Sequence, residues 1–467
     1  MRKINTTTHS ADFGDGTGFA PASDLNLTPK QIVAELDRHI IGQTQAKKLV
    51  ANALRSRWRR LMVPESLLEE ITPKNILMCG PTGCGKTEIA RRLAKLTNSP
   101  FVRVEASTYT EVGYVGRDVE SIIRDLLDVA IAMVTKEWRE KVKEAALEMA
   151  EEKLLSLLLP AASRAKTQED DAKGPDNTRE KLRRMFREGK LNEAMVELEV
   201  EVKPQLPMIF GGSNFEDVEK SVTDAFSSMI PRQTARRKVP APEALKILQS
   251  REQDRLIDQQ SVVEEAQYRC ERHGIVFIDE IDKVTGKEGL NHVDASGEGV
   301  QRDLLPIVEG TMVPTRKAGP IKTDHILFIC AGAFHSSSPS DLMPEFQGRF
   351  PIRVELSPLS KDDFVRILTE PDNSLINQYK ALLAAEKVEL DFTKEAIEEM
   401  ASIAHGVNES NENIGARRLY TIMERLLEEV SFEASDISPA KVVITPEYVR
   451  ERLEAIIKDD DLRKFIL

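Results

Sequence analysis

Residues 80–87 read Gly80-Pro81-Thr82-Gly83-Cys84-Gly85-Lys86-Thr87, after the apolar run Ile76-Leu77-Met78-Cys79 and before Glu88-Ile89-Ala90-Arg91-Arg92-Leu93-Ala94. This is G-x-x-x-x-G-K-[ST] between a strand pattern and an amphipathic helix pattern, the setting that gives the motif physical meaning. Its glycines let successive backbone N–H groups turn inward around phosphate oxygens. The helix that follows adds the positive end of its dipole. Lys86 can reach the β- and γ-phosphates, and the Thr87 hydroxyl can take a place on Mg²⁺. A second constellation, Ile275-Val276-Phe277-Ile278-Asp279-Glu280-Ile281-Asp282, is an apolar strand ending in carboxylates. A strand buried on both faces delivers its terminal Asp279 to the carboxyl edge of a sheet, where a phosphate loop also lies. Asp279 is placed to hold Mg²⁺, directly or through water, and Glu280 to polarise an attacking water. Together the two motifs imply hydrolysis of a nucleoside triphosphate.

Such chemistry needs cations for the charge that develops on the γ-phosphoryl group, often an arginine from a neighbouring subunit. Arg349, in Pro344-Glu345-Phe346-Gln347-Gly348-Arg349-Phe350-Pro351, falls at a turn before a strand pattern, where a rigid loop could present it outward. Arg417, in Asn413-Ile414-Gly415-Ala416-Arg417-Arg418-Leu419, falls early in a helix. For both, a solvated surface arginine is the plain alternative. Two apolar features suggest something gripped. Gly113-Tyr114-Val115-Gly116 places an aromatic–aliphatic pair in a glycine-flanked loop, either a buried hairpin turn or an exposed tip of the kind that costs solubility and marks something gripped. The chain closes on Phe465-Ile466-Leu467 after a charged stretch, a tail that could pack back on the last helix or enter a partner's pocket.

The elements that must position these residues follow from periodicity. Thr28-Pro29 reads as an N-cap with proline at the first helical position, starting a helix through about Asp37. Strand and helix patterns then alternate over 75–79, 86–97, 100–105 and 117–134, the signature of a parallel sheet packed between helices. The alternation stops near Val134 and resumes at Gly274, with strands expected at 274–279, 325–330 and 351–356. Between them lies a charged, helix-rich insertion, which should project as a separate domain. From about residue 360 the period is helical. The expected fold class is therefore α/β: a three-layer core around a parallel sheet, with a helix-rich inserted domain and a small α-rich C-terminal domain. The expected boundaries are a flexible extension over 1–24, a nucleotide-binding domain over 25–134 and 271–358, the insertion over 135–270, and a C-terminal helical domain over 359–467.

Composition narrows the partners. The formal net charge of −12 argues against nucleic acid as the main partner, since no face need be basic. Cys79, Cys84, Cys270 and Cys330 form no C-x-x-C pair, which fits free thiols in a reducing compartment rather than disulfides or zinc. No stretch approaches the roughly 18 apolar residues of a membrane span. The first 24 residues lack the apolar core of a signal peptide, so a cytoplasmic protein is expected.

At this point the residues resemble one family closely, the AAA+ unfoldases of the Clp/Hsp100 group, and among them the ATPases that cap the HslV threonine peptidase. The shared features are His39-Ile40-Ile41-Gly42-Gln43, the phosphate loop, Gly113-Tyr114-Val115-Gly116, Gly274 through Asp282, Gly299-Val300-Gln301-Arg302-Asp303-Leu304-Leu305-Pro306, Asn413 through Leu419, and the Phe-Ile-Leu end. The resemblance implies a P-loop AAA+ core, ATP and Mg²⁺ as cofactors, a homohexameric ring, polypeptide substrates, and HslV as partner. It implies that Ile41 contacts adenine and that Gly83, Cys84, Gly85, Lys86, Thr87 and Glu88 surround the phosphates. It implies that Asp279 lies on the metal side, that Glu345 and Arg417 complete the nucleotide site, and that Arg349 acts on a neighbour's nucleotide. Tyr114 and Val115 would form the pore loop that drags substrate, 135–270 the intermediate domain, and Phe465, Ile466 and Leu467 the tail that switches on the peptidase. The first 24 residues have no counterpart in the family. Many AAA+ proteins carry a polar sensor after the fourth strand, where Cys330-Ala331-Gly332 offers only a thiol. Alternatives are a ClpX-like unfoldase, which would carry a zinc-binding Cys₄ domain absent from the first 78 residues, a nucleic-acid remodelling ATPase, and a nucleotide-dependent scaffold without a peptidase.

Overall fold

Three residues set the start of the first helix in the computed structural model, which describes residues 27–68, 70–71, 74–109, 117–158, 175–201, 234–285, 295–410 and 413–458. Thr28 is the extended N-cap of Pro29–Asp37. Its hydroxyl accepts the Gln31 N–H, and the Gln31 side chain accepts the Thr28 N–H. Pro29 takes the first helical position, where a missing N–H costs nothing. The basic helix Thr44–Leu61 follows. Strand β1 (Ile76–Cys79) then runs through the phosphate loop into the helix Lys86–Leu96, and β2 (Phe101–Glu105) precedes the helix Ser121–Lys141. That helix starts later than its apolar repeat suggests because residues 119–120 form a turn. It runs past Val134 because the helix formers Glu137, Arg139, Glu140 and Lys141 carry it beyond the repeat. Tyr114, Val115, the first 24 residues and Phe465–Leu467 lie outside the described residues.

The chain divides into two compact units, residues 1–133 with 263–467, and Val134–Val262. In the second unit, β3 (Met195–Glu201) and β4 (Thr234–Pro240) pair antiparallel, with Val196 opposite Val239 and Leu198 opposite Arg237. Val196, Leu198 and Val239 bury with Ala150 and Leu154 of the helix Lys143–Leu158 and Leu248 of the helix Ala241–Leu256. Two helices, Ala241–Leu256 and Gln259–His273, follow β4. Asp258 separates them by accepting the Gln260 and Ser261 N–H groups at the start of Gln259–His273.

The first unit continues with β5 (Ile275–Asp279), the short antiparallel pair β6 (Met312–Val313) and β7 (Ile321–Lys322), then β8 (Leu327–Gly332) and β9 (Ile352–Glu355). Its main sheet is five-stranded, in the order β2-β5-β8-β1-β9, and every pair is parallel. All residues of β5 and β8 are buried, as strands covered by helices on both faces must be. Glu105 sits opposite Asp279, and Cys79 opposite Gly332 and Glu355, so the carboxyl ends of the strands align along one edge. At the other edge the Arg57 guanidinium donates to the carbonyls of Arg272, Gly274 and His325, each at 2.9 Å. The helices Lys361–Thr369, Leu375–Ala384, Lys394–Ser410, Arg417–Ile437 and Pro446–Lys458 enclose a separate apolar cluster that includes Phe364, Met400, Met423 and Leu453. A parallel pair, β10 (Val388–Phe392) and β11 (Ala440–Ile444), completes this region. Helical periodicity alone gives no sign of it.

Candidate nucleotide site

The phosphate loop leaves the sheet between β8 and β9, the two strands that flank β1. Gly85 is the left-handed N-cap of Lys86–Leu96, and no side chain caps that helix. Its first amides are thus free to meet an anion. Gly83 has φ +70°, and a Cβ there would lie 2.1 Å from the Ile414 carbonyl oxygen. Its own carbonyl accepts the Ala416 N–H at 3.1 Å, so the phosphate loop is joined directly to the start of the helix that carries Arg417. Lys86 is nearly buried, and its ammonium donates to the Gly80 and Pro81 carbonyls at 2.6 and 2.9 Å.

A cavity of about 660 Å³ opens over the loop. Ile41, Gly83, Cys84, Gly85, Lys86, Thr87, Glu88, Asp279, Glu280 and Arg417 all line it. The volume suits a ligand of nucleotide size. The lining combines apolar side chains, Ile40, Ile41, Ile367 and Leu375, with the cations Lys86, Arg103 and Lys283 and several carboxylates. His39 also lines the cavity, and its Nδ1 is buried without a hydrogen-bond partner.

Asp279 ties several of these polar groups together. Its carboxylate is largely buried; Oδ2 accepts the Thr87 hydroxyl at 3.2 Å and Oδ1 accepts the Glu280 N–H at 3.1 Å. Hydroxyl and carboxylate oxygens side by side are hard donors, a set that fits Mg²⁺, which takes one or two carboxylates with the remaining positions left to phosphate and water. Among the described residues no cluster of three or more His, Cys, Asp or Glu could hold a metal on its own. Glu280 is exposed to the cavity and has φ 56° and ψ 35°, a left-handed conformation that costs a non-glycine residue on the order of 1–3 kcal/mol. Asp282 ties this end of β5 to the loop after β8, its two oxygens accepting the Ala333 and Phe334 N–H groups at 3.2 and 3.3 Å. That loop brings His335 and Ser336 to the cavity wall.

Cys330 is wholly buried within β8, and burial drives its thiol well above the ordinary range. It is not on the cavity wall. Burial also raises the Cys84 thiol, against the opposing pull of Lys86. Burial disfavours the Glu88 carboxylate, but hydrogen bonds from Arg92 and Arg91 outweigh it and hold the carboxyl below its usual range. Glu345 and Arg349 do not line the cavity. Glu345 is exposed on the short helix Pro344–Gly348, and Arg349 at its end donates to Glu309 at 2.9 Å.

Like His335 and Ser336, Arg103 is a cavity residue that sequence reasoning missed. Its guanidinium stands 3.0 Å from Asp279 Oδ2 and 3.5 Å from Glu105. In Phe101-Val102-Arg103-Val104-Glu105 a charged residue at alternate positions reads as the solvent side of a strand. Only the β2–β5 pairing brings it to Asp279.

Two family models match the chain. The model described as "ATPase family associated with various cellular activities (AAA)" matches residues 76–168, and that described as "AAA domain (Cdc48 subfamily)" matches residues 208–353. Similarity to curated proteins extends over nearly the full length. The ATP-dependent protease ATPase subunit HslU of Persephonella marina is 57% identical over 446 residues, covering 95% of this chain and 99% of that protein. The subunit of the same name from Desulfotalea psychrophila is 54% identical over 453 residues, covering 95% and 99%. That from Bacillus cytotoxicus is 51% identical over 463 residues, covering 95% and 100%.

Proposed function

We propose, from the premise that this chain belongs to the HslU family of AAA+ ATPases and is the ATPase subunit of an ATP-dependent protease, that it is a ring-forming protein unfoldase driven by ATP bound in the cavity above Lys86. The observation that carries this is the meeting of the phosphate loop with Asp279 and Glu280 around one cavity of nucleotide size. Ile41 is among the apolar side chains of the lining, against which adenine would sit. The amides of residues 83–88 and the Lys86 ammonium would take the phosphates, with Lys86 exchanging two carbonyl acceptors for phosphate oxygens. Thr87 and Asp279 would hold Mg²⁺, which when bound neutralises charge on the β- and γ-phosphates. Glu280 would orient and deprotonate the attacking water. Arg417 would report the nucleotide to the C-terminal helices, being one residue from the Gly83–Ala416 hydrogen bond.

Glu345 and Arg349 fit a site shared between copies, since they stand off the cavity of their own chain. In a homohexamer Arg349 would leave Glu309 for a neighbour's γ-phosphate, and Glu345 would complete the site. Tyr114 and Val115 would grip polypeptide in the pore. Residues 135–270 would form the intermediate domain and 359–467 the C-terminal helical domain. Phe465, Ile466 and Leu467 would enter the HslV peptidase and activate it. Work in the cytoplasm is part of this reading, and no described helix is long and apolar enough to cross a membrane. Three buried apolar side chains contribute roughly 1.5–3 kcal/mol each, and copies around a ring act with avidity. Deleting residues 465–467 is expected to leave ATP hydrolysis unchanged and to abolish stimulation of purified HslV in a peptide-cleavage assay. Undiminished stimulation would overturn the role of the tail.

A further inference from the structure

Asp279 Oδ2 has two partners at once. It accepts the Thr87 hydroxyl at 3.2 Å and faces the Arg103 guanidinium at 3.0 Å. The oxygen that would form the metal corner with Thr87 is therefore already paired with a cation. A guanidinium and a divalent ion cannot share one carboxylate oxygen at contact distance without strong like-charge repulsion. The Arg103 side chain is 40% exposed, so it has room to move, whereas that of Asp279 is 12% exposed and fixed from both oxygens. Arg103 also has somewhere to go. Glu105, two residues along the same strand and hence on the same face, stands 3.5 Å from the same nitrogen with 47% of its side chain exposed.

We propose, resting on the assignment of Asp279 as the metal carboxylate, that Arg103 is a positioning residue that takes the cation place at Asp279 and must turn toward Glu105 before a divalent metal can bind. It does two things there. It holds the Asp279 carboxylate in place beside Thr87, and it keeps free divalent metal from settling in a site without nucleotide. Metal is then admitted when triphosphate oxygens supply the remaining ligands and tip the competition. Lys86 makes a parallel arrangement on the phosphate side, its ammonium held by Gly80 and Pro81 carbonyls.

The test is titration of the nucleotide-free, full-length chain with Mn²⁺ alone, read by electron paramagnetic resonance. Arg103→Met is expected to bind Mn²⁺ at least tenfold more tightly than the parent chain, and Arg103→Lys to stay near the parent affinity. Glu105→Gln, which removes the alternative partner, is expected to weaken Mn²⁺ about threefold. Adding Asp279→Asn to Arg103→Met should erase the gain. Binding of a fluorescent ADP in EDTA, which needs no metal, checks that each variant is folded. Unchanged or weaker Mn²⁺ binding in Arg103→Met, with Asp279→Asn still lowering affinity, overturns the role of Arg103 alone. If Asp279→Asn leaves Mn²⁺ binding untouched in either background, the assignment of Asp279 fails as well.

Discussion

Glu280 shows how one residue's backbone serves its side chain. Strand β5 would send a side chain after Asp279 along the sheet, but the left-handed turn at Glu280 redirects it into the cavity. An exposed carboxylate with a strained backbone, next to a buried carboxylate that holds its N–H, is costly unless the orientation is used. Glu280→Gln keeps shape and length and removes the basic oxygen. It is expected to lower ATP turnover by roughly 10²–10⁴-fold, the usual worth of a positioned base, while ATP affinity stays within a few-fold. Steady-state hydrolysis and equilibrium binding, measured on the same preparation, check both parts. Joint loss of binding and turnover would make Glu280 a structural support.

At the scale of elements, the joint between the phosphate loop and the C-terminal helices is the contact through which the proposed mechanism would pass nucleotide state to movement. Gly415 has φ +59°, and a Cβ there would lie 2.5 Å from the Thr82 carbonyl oxygen and 2.7 Å from Gly83. Asn413 Oδ1 accepts the Gly415 N–H at 2.9 Å, and Asn408 donates to its carbonyl at 3.1 Å, so the turn is braced from both sides. Gly415→Ala must push the phosphate loop aside as well as adopt a disfavoured backbone. It is expected to weaken nucleotide binding at least tenfold, with helix content by circular dichroism unchanged; an unaltered dissociation constant would mean that the joint carries no load. This contact joins residues more than 300 positions apart in the chain, and no local pattern announces it. The same physics divides what was legible from what was not. The capped helix at Thr28, the loop at 80–87 and the buried strand at 275–279 are written in adjacent residues. The pairs β3–β4 and β10–β11 depend on partners distant in sequence, and so does the approach of Arg103 to Asp279. Asp258, which caps the helix Gln259–His273, sits within a long run of helix formers that masks its signal. Ser336 and His335 reach the cavity only because Asp282 clamps the loop before them, whereas Cys330, at the expected sensor position, faces the core.

At the scale of the whole molecule, energetics favour a ratchet over a single binding event. A folded domain resists unfolding with roughly 5–15 kcal/mol, and one buried tyrosine returns only about 1.5–3 kcal/mol. An unfoldase of the proposed kind would need repeated strokes by several copies, which agrees with an Arg349 that does not line its own chain's cavity. The central claim is that ATP held at Lys86, Asp279 and Glu280 works on polypeptide. The measurement that tests it most directly is capture by the full-length Glu280→Gln chain, which should bind ATP without releasing its cargo. Affinity purification in ATP is expected to retain unfolded polypeptide, lost when ATP is replaced by ADP, and to retain added HslV. Recovery of DNA or RNA in place of polypeptide, with no HslV, would contradict the account and point to a nucleic-acid remodelling ATPase.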